Sequence, residues 1–96
     1  MFEWDEEKNK LNRKNHGISF EEATEVFNFT HLTYIDDRHD YGEVREITIG
    51  QITSLSLIVV VHTQRNGLIR IISARKALKY ERSKFYEYIK KTIKGD

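Results

Sequence analysis

Residues 57–82 read LIVVVHTQRNGLIRIISARKALKYER, and this segment constrains the fold more than any other. Two apolar, β-branched runs flank Asn66-Gly67, a pair that reads as a two-residue hairpin turn because both positions tolerate positive φ. The second run passes directly into a basic stretch with helical spacing. A strand buried on both faces excludes charge, yet His62, Arg70 and Arg75 lie in or beside these strands. An arginine withdrawn from water is costly unless it meets an anion, so each needs an internal carboxylate or a phosphate-bearing ligand.

The remainder of the chain supplies the other elements. Phe2–Trp4 alternates and suits a short edge strand. Asp5 is placed to N-cap a helix over residues 6–16, with Glu6 and Glu7 in its first turn, Arg13 and Lys14 in its last, and Gly17 as a left-handed stop. Leu11 is the only large apolar residue of that helix, which predicts docking through Leu11 and the lysine stems. Ser19–Glu22 forms a capping box with Ile18 as hydrophobic staple, starting a second helix that reaches about Phe27. Strands follow at Leu32–Ile35, Val44–Ile52, Leu57–Thr63 and Leu68–Arg75, with a polar turn at Asp36–Gly42. A last helix over 77–93 places Leu78, Arg82, Phe85, Ile89 and Ile93 on one face, and Gly95 ends it. The order β-α-α-β-β-β-β-α predicts one α+β domain over residues 1–96, with a mainly antiparallel sheet of about four to five strands, two N-terminal helices and one C-terminal helix.

A chain of 96 residues buries roughly 65% of its unfolded surface, which favours chemistry at a surface or shallow cleft. It has no cysteine, so disulfides and thiolate metal sites are excluded and a reducing cytoplasm is the default. No run approaches ~18 apolar residues, and the start lacks the order of a signal peptide, so no membrane association is expected. The four histidines show no ligand spacing, and there is no Walker A loop, GxGxxG or GxSxG; no metal and no cofactor are expected. The net charge of +1 hides a split: residues 1–46 carry six Lys/Arg against twelve Asp/Glu, and residues 47–96 carry ten against three. Such a split points to a basic face for an anionic partner, or to two halves that neutralise each other on folding.

If the hairpin keeps its two-residue register throughout, residues summing to 133 oppose one another. His62 then shares a face with Ile69, Ile71, Ser73 and Arg75, while Thr63 and Arg70 point the other way. Arg75 has two readings, a phosphate ligand or the partner of a carboxylate such as Glu81 or Glu22; the guanidinium fork fits either. Arg70 is equally a solvent-facing arginine or a ligand. His62 and His16 have the intrinsic pKa for proton transfer, although a histidine at a strand end or a helix C-terminus also serves structure. Lys76, Lys79, Lys84, Lys90, Lys91 and Lys94, interleaved with Tyr80, Tyr86 and Tyr88, suit single-stranded RNA or a solvated helix face.

The same residues resemble a known family. W-D-x-x-K-x-x-x-N (Trp4, Asp5, Lys8, Asn12) followed by His16–Ala23 (HGISFEEA) is similar to the start of BrnT-type toxins. Ile47, Ile49 and Gly50 (I-x-I-G), Val59–Thr63, Arg70–Ala77 (RIISARKA), then Glu81-Arg82 and Tyr86 extend the resemblance over nearly the whole chain. The resemblance implies a RelE-like α+β fold and a metal-independent ribonuclease toxin of a type II toxin–antitoxin pair. It also implies a BrnA-like ribbon-helix-helix antitoxin that neutralises the toxin and carries the complex to its operator DNA. Within that expectation Arg75 and Arg70 stabilise charge on the RNA, His62 or His16 transfers a proton, Glu81 orients an arginine or accepts a proton, and Lys14, Lys76, Lys79 and Arg82 hold flanking phosphates. The family's usual K-H-G reads Asn15-His16-Gly17 here, with Lys14 one residue earlier, a step of about 100° around a helix. The rival readings are a non-catalytic RNA-binding module and a protein-interaction domain.

Overall fold

The computed structural model describes residues 1–94, and the side chains of residues 1–92. Strand β1 (Phe2–Glu3) leads into α1 (Glu6–His16), then α2 (Phe20–Ala23) and a 3₁₀ helix (Thr24–Asn28). Strands β2 (His31–Ile35), β3 (Arg45–Gln51), β4 (Leu57–Arg65) and β5 (Leu68–Lys76) form a meander, and α3 (Lys79–Lys94) follows. The five strands lie in the order β1-β5-β4-β3-β2, antiparallel except for β1, which runs parallel to β5 and makes the sheet mixed. Gly95 and the side chain of Ile93 lie outside the described residues.

The N-terminal caps form as the sequence predicts. Asp5 accepts from the backbone N–H of Glu7 and Lys8, and Gly17 turns left-handed at φ 71°. Ser19 and Glu22 close a reciprocal capping box. The second helix is shorter than predicted: its α-helical part stops at Ala23, and the path to Asn28 tightens into 3₁₀ geometry. This brings Phe20, Ala23 and Val26 onto one face of the sheet against Ile58, Val60, Ile71 and Ala74. Gly50 makes room for this packing: a Cβ there would lie 3.1 Å from His31 Cβ and 3.3 Å from Val26 Cβ, closer than such atoms ordinarily approach. The opposite face carries Ile47, Ile49 and Val59, covered by Ala77 and by Phe85 of α3. Leu78, just before α3, is 53% exposed and Arg82 is exposed too, so the inward positions of α3 are Glu81, Phe85 and half-buried Ile89.

Helix α1 docks in a manner that the position of Leu11 does not foretell. Leu11 is exposed, and the buried residues are Asn9 and Asn12. Strand β1 is too short to cover the whole edge of β5, and the Asn12 carboxamide takes over where it ends. Its Nδ2 donates to Ala74 O and Ile18 O (both 2.8 Å), and its Oδ1 accepts from Ala74 N (3.2 Å). The side chain thus completes a ladder pair that a strand would otherwise make. Asn9 pins the next loop, accepting from Phe20 N at 2.8 Å and donating to Glu21 at 2.9 Å.

The hairpin register holds near the turn and then breaks. Asn66 and Gly67 both have positive φ (53° and 78°), as the two-residue turn demands. Pairs from Arg65↔Leu68 to His62↔Ile71 follow the predicted sum, but Val61 pairs with Ser73, leaving Ile72 as the extra residue of a β-bulge. The bulge overturns the predicted faces. Arg75 opposes Val59, so it points away from the face that His62 occupies. Arg70 opposes Thr63, which alternates with Val61 and Val59, so Arg70 and Arg75 lie on the same face rather than opposite ones.

Candidate active site

Strand β5 delivers Arg75 at its end, one residue before Lys76, and α3 begins three residues further on. Glu81 occupies the first turn of α3 and is buried. It receives Arg75 Nη1 at 2.7 Å and Nη2 at 2.8 Å, and its Oε1 also accepts the backbone N–H of Leu78 at 2.8 Å. Glu81 is therefore half of a capping box: it satisfies the N-cap N–H, while Leu78 has no polar side chain to reciprocate. The Arg75 guanidinium, and next the Leu78 N–H, hold the Glu81 carboxyl below its ordinary value despite burial, and Glu81 in turn raises Arg75. The pair is charged throughout the physiological range. Nη1 of Arg75 also donates to Lys76 O at 3.2 Å. Nε–H and the second Nη2 hydrogen have no acceptor among the described residues, so one edge of the fork stays open.

That edge belongs to a cleft of about 340 Å³ whose floor is Ile47, Val59 and Val61 and whose walls include Tyr34, Arg38, Tyr80, Glu81 and Lys84. Lys84 Nζ lies 4.1 Å from the centre of the Tyr34 ring. Arg38 is clasped by Asp36, with Nε at 2.7 Å and Nη2 at 2.8 Å. Of the cleft's charged groups, Arg75 and Glu81 stand out in the sequence as site residues. Arg38 was hidden in a turn that reads as solvated loop, and Lys84 in the general basicity of the helix.

The other predicted site residues are distributed unevenly around this cleft. Arg70 shares its face but not its lining; roughly 15 Å of strand separates the two arginines, and Arg70 Nη1 lies 3.5 Å from Glu3. His62 is 4% exposed on the opposite face. Its Nε2 lies 2.6 Å from Thr48 Oγ1, which in turn contacts Thr33 Oγ1 at 2.8 Å, and its ring packs edge-on against Phe27 at 5.1 Å. Burial, then the nearby His31, pushes its pKa down to about 4, so it is neutral at neutral pH. Helix α1 follows β1 in the direction of β5 and places Asn12 beside Ala74, so its last turn lies toward the end of the sheet that carries Arg75. Lys14, Asn15 and His16 on that turn are exposed, as are Lys76, Lys79 and Arg82. Arg82 Nη1 donates to Ala77 O at 3.0 Å. No hydrogen bond or ion pair joins Lys14 or His16 to Arg75 among the described residues.

Fold and site together define a small α+β protein with an arginine-lined cleft at the junction of its last strand and last helix. Comparison with known proteins gives that class a family. The family model described as "Ribonuclease toxin, BrnT, of type II toxin-antitoxin system" matches residues 4–81, and the chain belongs to that family. Membership implies an antitoxin partner and an RNA target. The structure also resembles the 1.1 Å crystal structure of the ribonuclease toxin BrnT of Brucella abortus, with a TM-score of 0.61 at 23% identity over 82% of this chain and 99% of that one. That likeness is one of fold. No curated protein matches the chain in sequence. Among the described residues, no helix is long and apolar enough to cross a membrane.

Proposed function

We propose that residues 1–96 act as one toxin domain, a RelE-like, metal-independent endoribonuclease of the cytoplasm that cuts RNA and so inhibits translation. In this reading a BrnA-like ribbon-helix-helix antitoxin neutralises it, and operator DNA is reached only through that antitoxin. The observation that carries the reading is the Arg75 guanidinium, fixed on one edge by buried Glu81 and open on the other to a cleft.

The chemistry follows from what such a group does. The substrate's own 2′-hydroxyl attacks the adjacent phosphorus, and negative charge grows on the non-bridging oxygens. A guanidinium already ordered by Glu81 meets that charge with little reorganisation. Lys84 supplies a second cation in the same cleft, while exposed Lys14, Lys76, Lys79 and Arg82 would hold flanking phosphates. Arg70, paired near Glu3, serves the neighbouring backbone rather than the scissile phosphate. Of the two histidines, solvent access favours His16 for proton transfer; the buried, neutral His62 instead fixes the threonines of the sheet.

Attack by the 2′-oxygen leaves a 2′,3′-cyclic phosphate and a 5′-hydroxyl. The test is incubation of the purified protein with single-stranded RNA in EDTA, with identification of the new ends. Cleavage that yields these ends and survives EDTA is expected. Loss of activity with EDTA, or 5′-phosphate ends, refutes the metal-independent mechanism; RNA bound but never cut favours the non-catalytic module.

A further inference from the structure

Arg75 shares its cleft with a second arginine that is held in the complementary way. Arg38 stands on the connection between β2 and β3. Asp36 takes its Nε–H and one Nη2–H, and the Asp36 carboxylate also accepts the Tyr41 hydroxyl at 3.1 Å. The Tyr41 ring in turn carries the Arg45 guanidinium, 4.1 Å from its centre. Asp36 is 5% exposed, so this is a built support rather than a loose surface pair. Hydrogen bonds from Arg38, and then Tyr41, hold the Asp36 carboxyl well below the usual carboxylate range.

The two guanidiniums are mirror cases. Glu81 occupies the Nη1/Nη2 edge of Arg75 and leaves the Nε/Nη2 edge open; Asp36 occupies the Nε/Nη2 edge of Arg38 and leaves the Nη1/Nη2 edge open. Neither open edge has an acceptor among the described residues; the Lys76 O contact of Arg75 is made by Nη1, away from its open edge. Both residues line the same cleft, Arg38 from the β2 side and Arg75 from the β5 side, over the apolar floor of Ile47, Val59 and Val61. Lys84 adds a third positive charge from α3. Like charges brought together around one cavity repel unless each is compensated from behind, and buried Asp36 and Glu81 do that. Such backing leaves the open donors of both arginines available to an anion that enters from the front.

We propose that Arg38 is a second substrate-contacting arginine, and that Arg38 and Arg75, backed by Asp36 and Glu81, form one clamp for a phosphodiester of single-stranded RNA. The inference rests on the ribonuclease reading and extends it to a residue on a different element. Asp37 is the opposing group: its exposed carboxylate also lines the cleft and has no ion-pair partner among the described residues.

The test is binding of a fully 2′-O-methylated single-stranded RNA, which has no 2′-hydroxyl to attack, measured by fluorescence anisotropy over a range of salt. Arg38→Gln and Arg75→Gln should each weaken binding by roughly tenfold and each lower the slope of log K against log salt by about 0.7. Asp37→Asn should tighten binding. Because Arg38→Gln strands buried Asp36, the double variant Asp36→Asn/Arg38→Gln, which removes the pair together, gives the same answer if the single one does not fold. A folded variant lacking Arg38 that keeps wild-type affinity and slope overturns the clamp, as does an Asp37→Asn protein that binds no more tightly. If wild type cleaves RNA, Arg75→Gln does not, and loss of Arg38 leaves binding unchanged, the second arginine is refuted while the ribonuclease reading stands. If RNA binding depends on both arginines but no cleavage occurs, the clamp stands and the ribonuclease reading falls.

Discussion

Replacing Asn12 by alanine should destabilise the protein by about 3 kcal/mol, more than any predictor based on apolar burial would assign to a polar helix residue. The figure comes from three backbone groups: Ala74 N–H, Ala74 C=O and Ile18 C=O each lose a buried partner at 2.8–3.2 Å. A stranded buried polar group costs ~1–3 kcal/mol, and carbonyls with a second lone pair and some water entry fall at the low end. Against a total stability of about 5–15 kcal/mol the loss is large, and for a domain of this size it lowers Tm by roughly 12–24 °C. Urea unfolding followed by circular dichroism reads it directly, with a shifted midpoint and an unchanged slope. Asn12→Asp sharpens the reasoning. Aspartate keeps the acceptor for Ala74 N but loses both donors and faces two carbonyl oxygens with a charge, so at pH 7 it should be at least as unstable as alanine. A loss below about 1 kcal/mol for Asn12→Ala, or an Asn12→Asp protein as stable as wild type, refutes the ladder-pair account.

Stability should fall as pH drops from about 6.5, the unfolded histidine value, to the folded value of about 4 for His62, because over that window the unfolded chain binds the proton that the buried ring refuses. The loss amounts to about 2–3 kcal/mol; folded His62→Gln should lack this part of the slope, and an unaltered pH profile would falsify the assignment. Below it, Asp36 and Glu81 take over, since their depressed carboxyls contribute stability that is present above the ordinary carboxylate range and lost as they protonate. Gly50→Ala should cost ~1–3 kcal/mol through overpacking against His31 and Val26; a wild-type urea midpoint would contradict that contact. Glu81→Gln keeps the acceptor for Leu78 N–H but releases the charged clasp on Arg75. Its RNA cleavage should drop roughly tenfold to hundredfold, and its urea midpoint should fall as well, because the clasp's contribution to stability goes with the charge; full activity in the folded variant would show that Glu81 does not position the arginine.

Local chemistry made much of this fold legible. Asn66-Gly67 can close a hairpin because both residues accept positive φ, and Ser19 with Glu22 can start a helix because each caps the other's backbone. The bulge at Ile72 was not legible, since it lies in the run Ile71-Ile72-Ser73, where an extra residue leaves no break in apolar pattern. That one residue decides which face receives Arg75. The docking role of Asn12 was not legible either, and Leu11 stood in its place: the worth of Asn12 lies in a sheet edge that β1 leaves bare, which exists only after the sheet forms. Arg75 and Glu81 were foreseeable as an ion pair six residues apart across a strand-to-helix turn. Arg38 was not, because an aspartate and an arginine two residues apart in a polar turn look the same whether solvated or locked.

The central claim is that a guanidinium preorganised by Glu81 stabilises charge on a scissile phosphate. Its most direct measurement is the single-turnover rate of RNA cleavage in EDTA by wild type, Arg75→Ala and Arg75→Lys, each shown to be folded by its urea transition. The account predicts a fall on the order of 10²–10³ for Arg75→Ala and little recovery with lysine, whose ammonium lacks the fork. A folded Arg75→Ala protein that cuts RNA at the wild-type rate would contradict it.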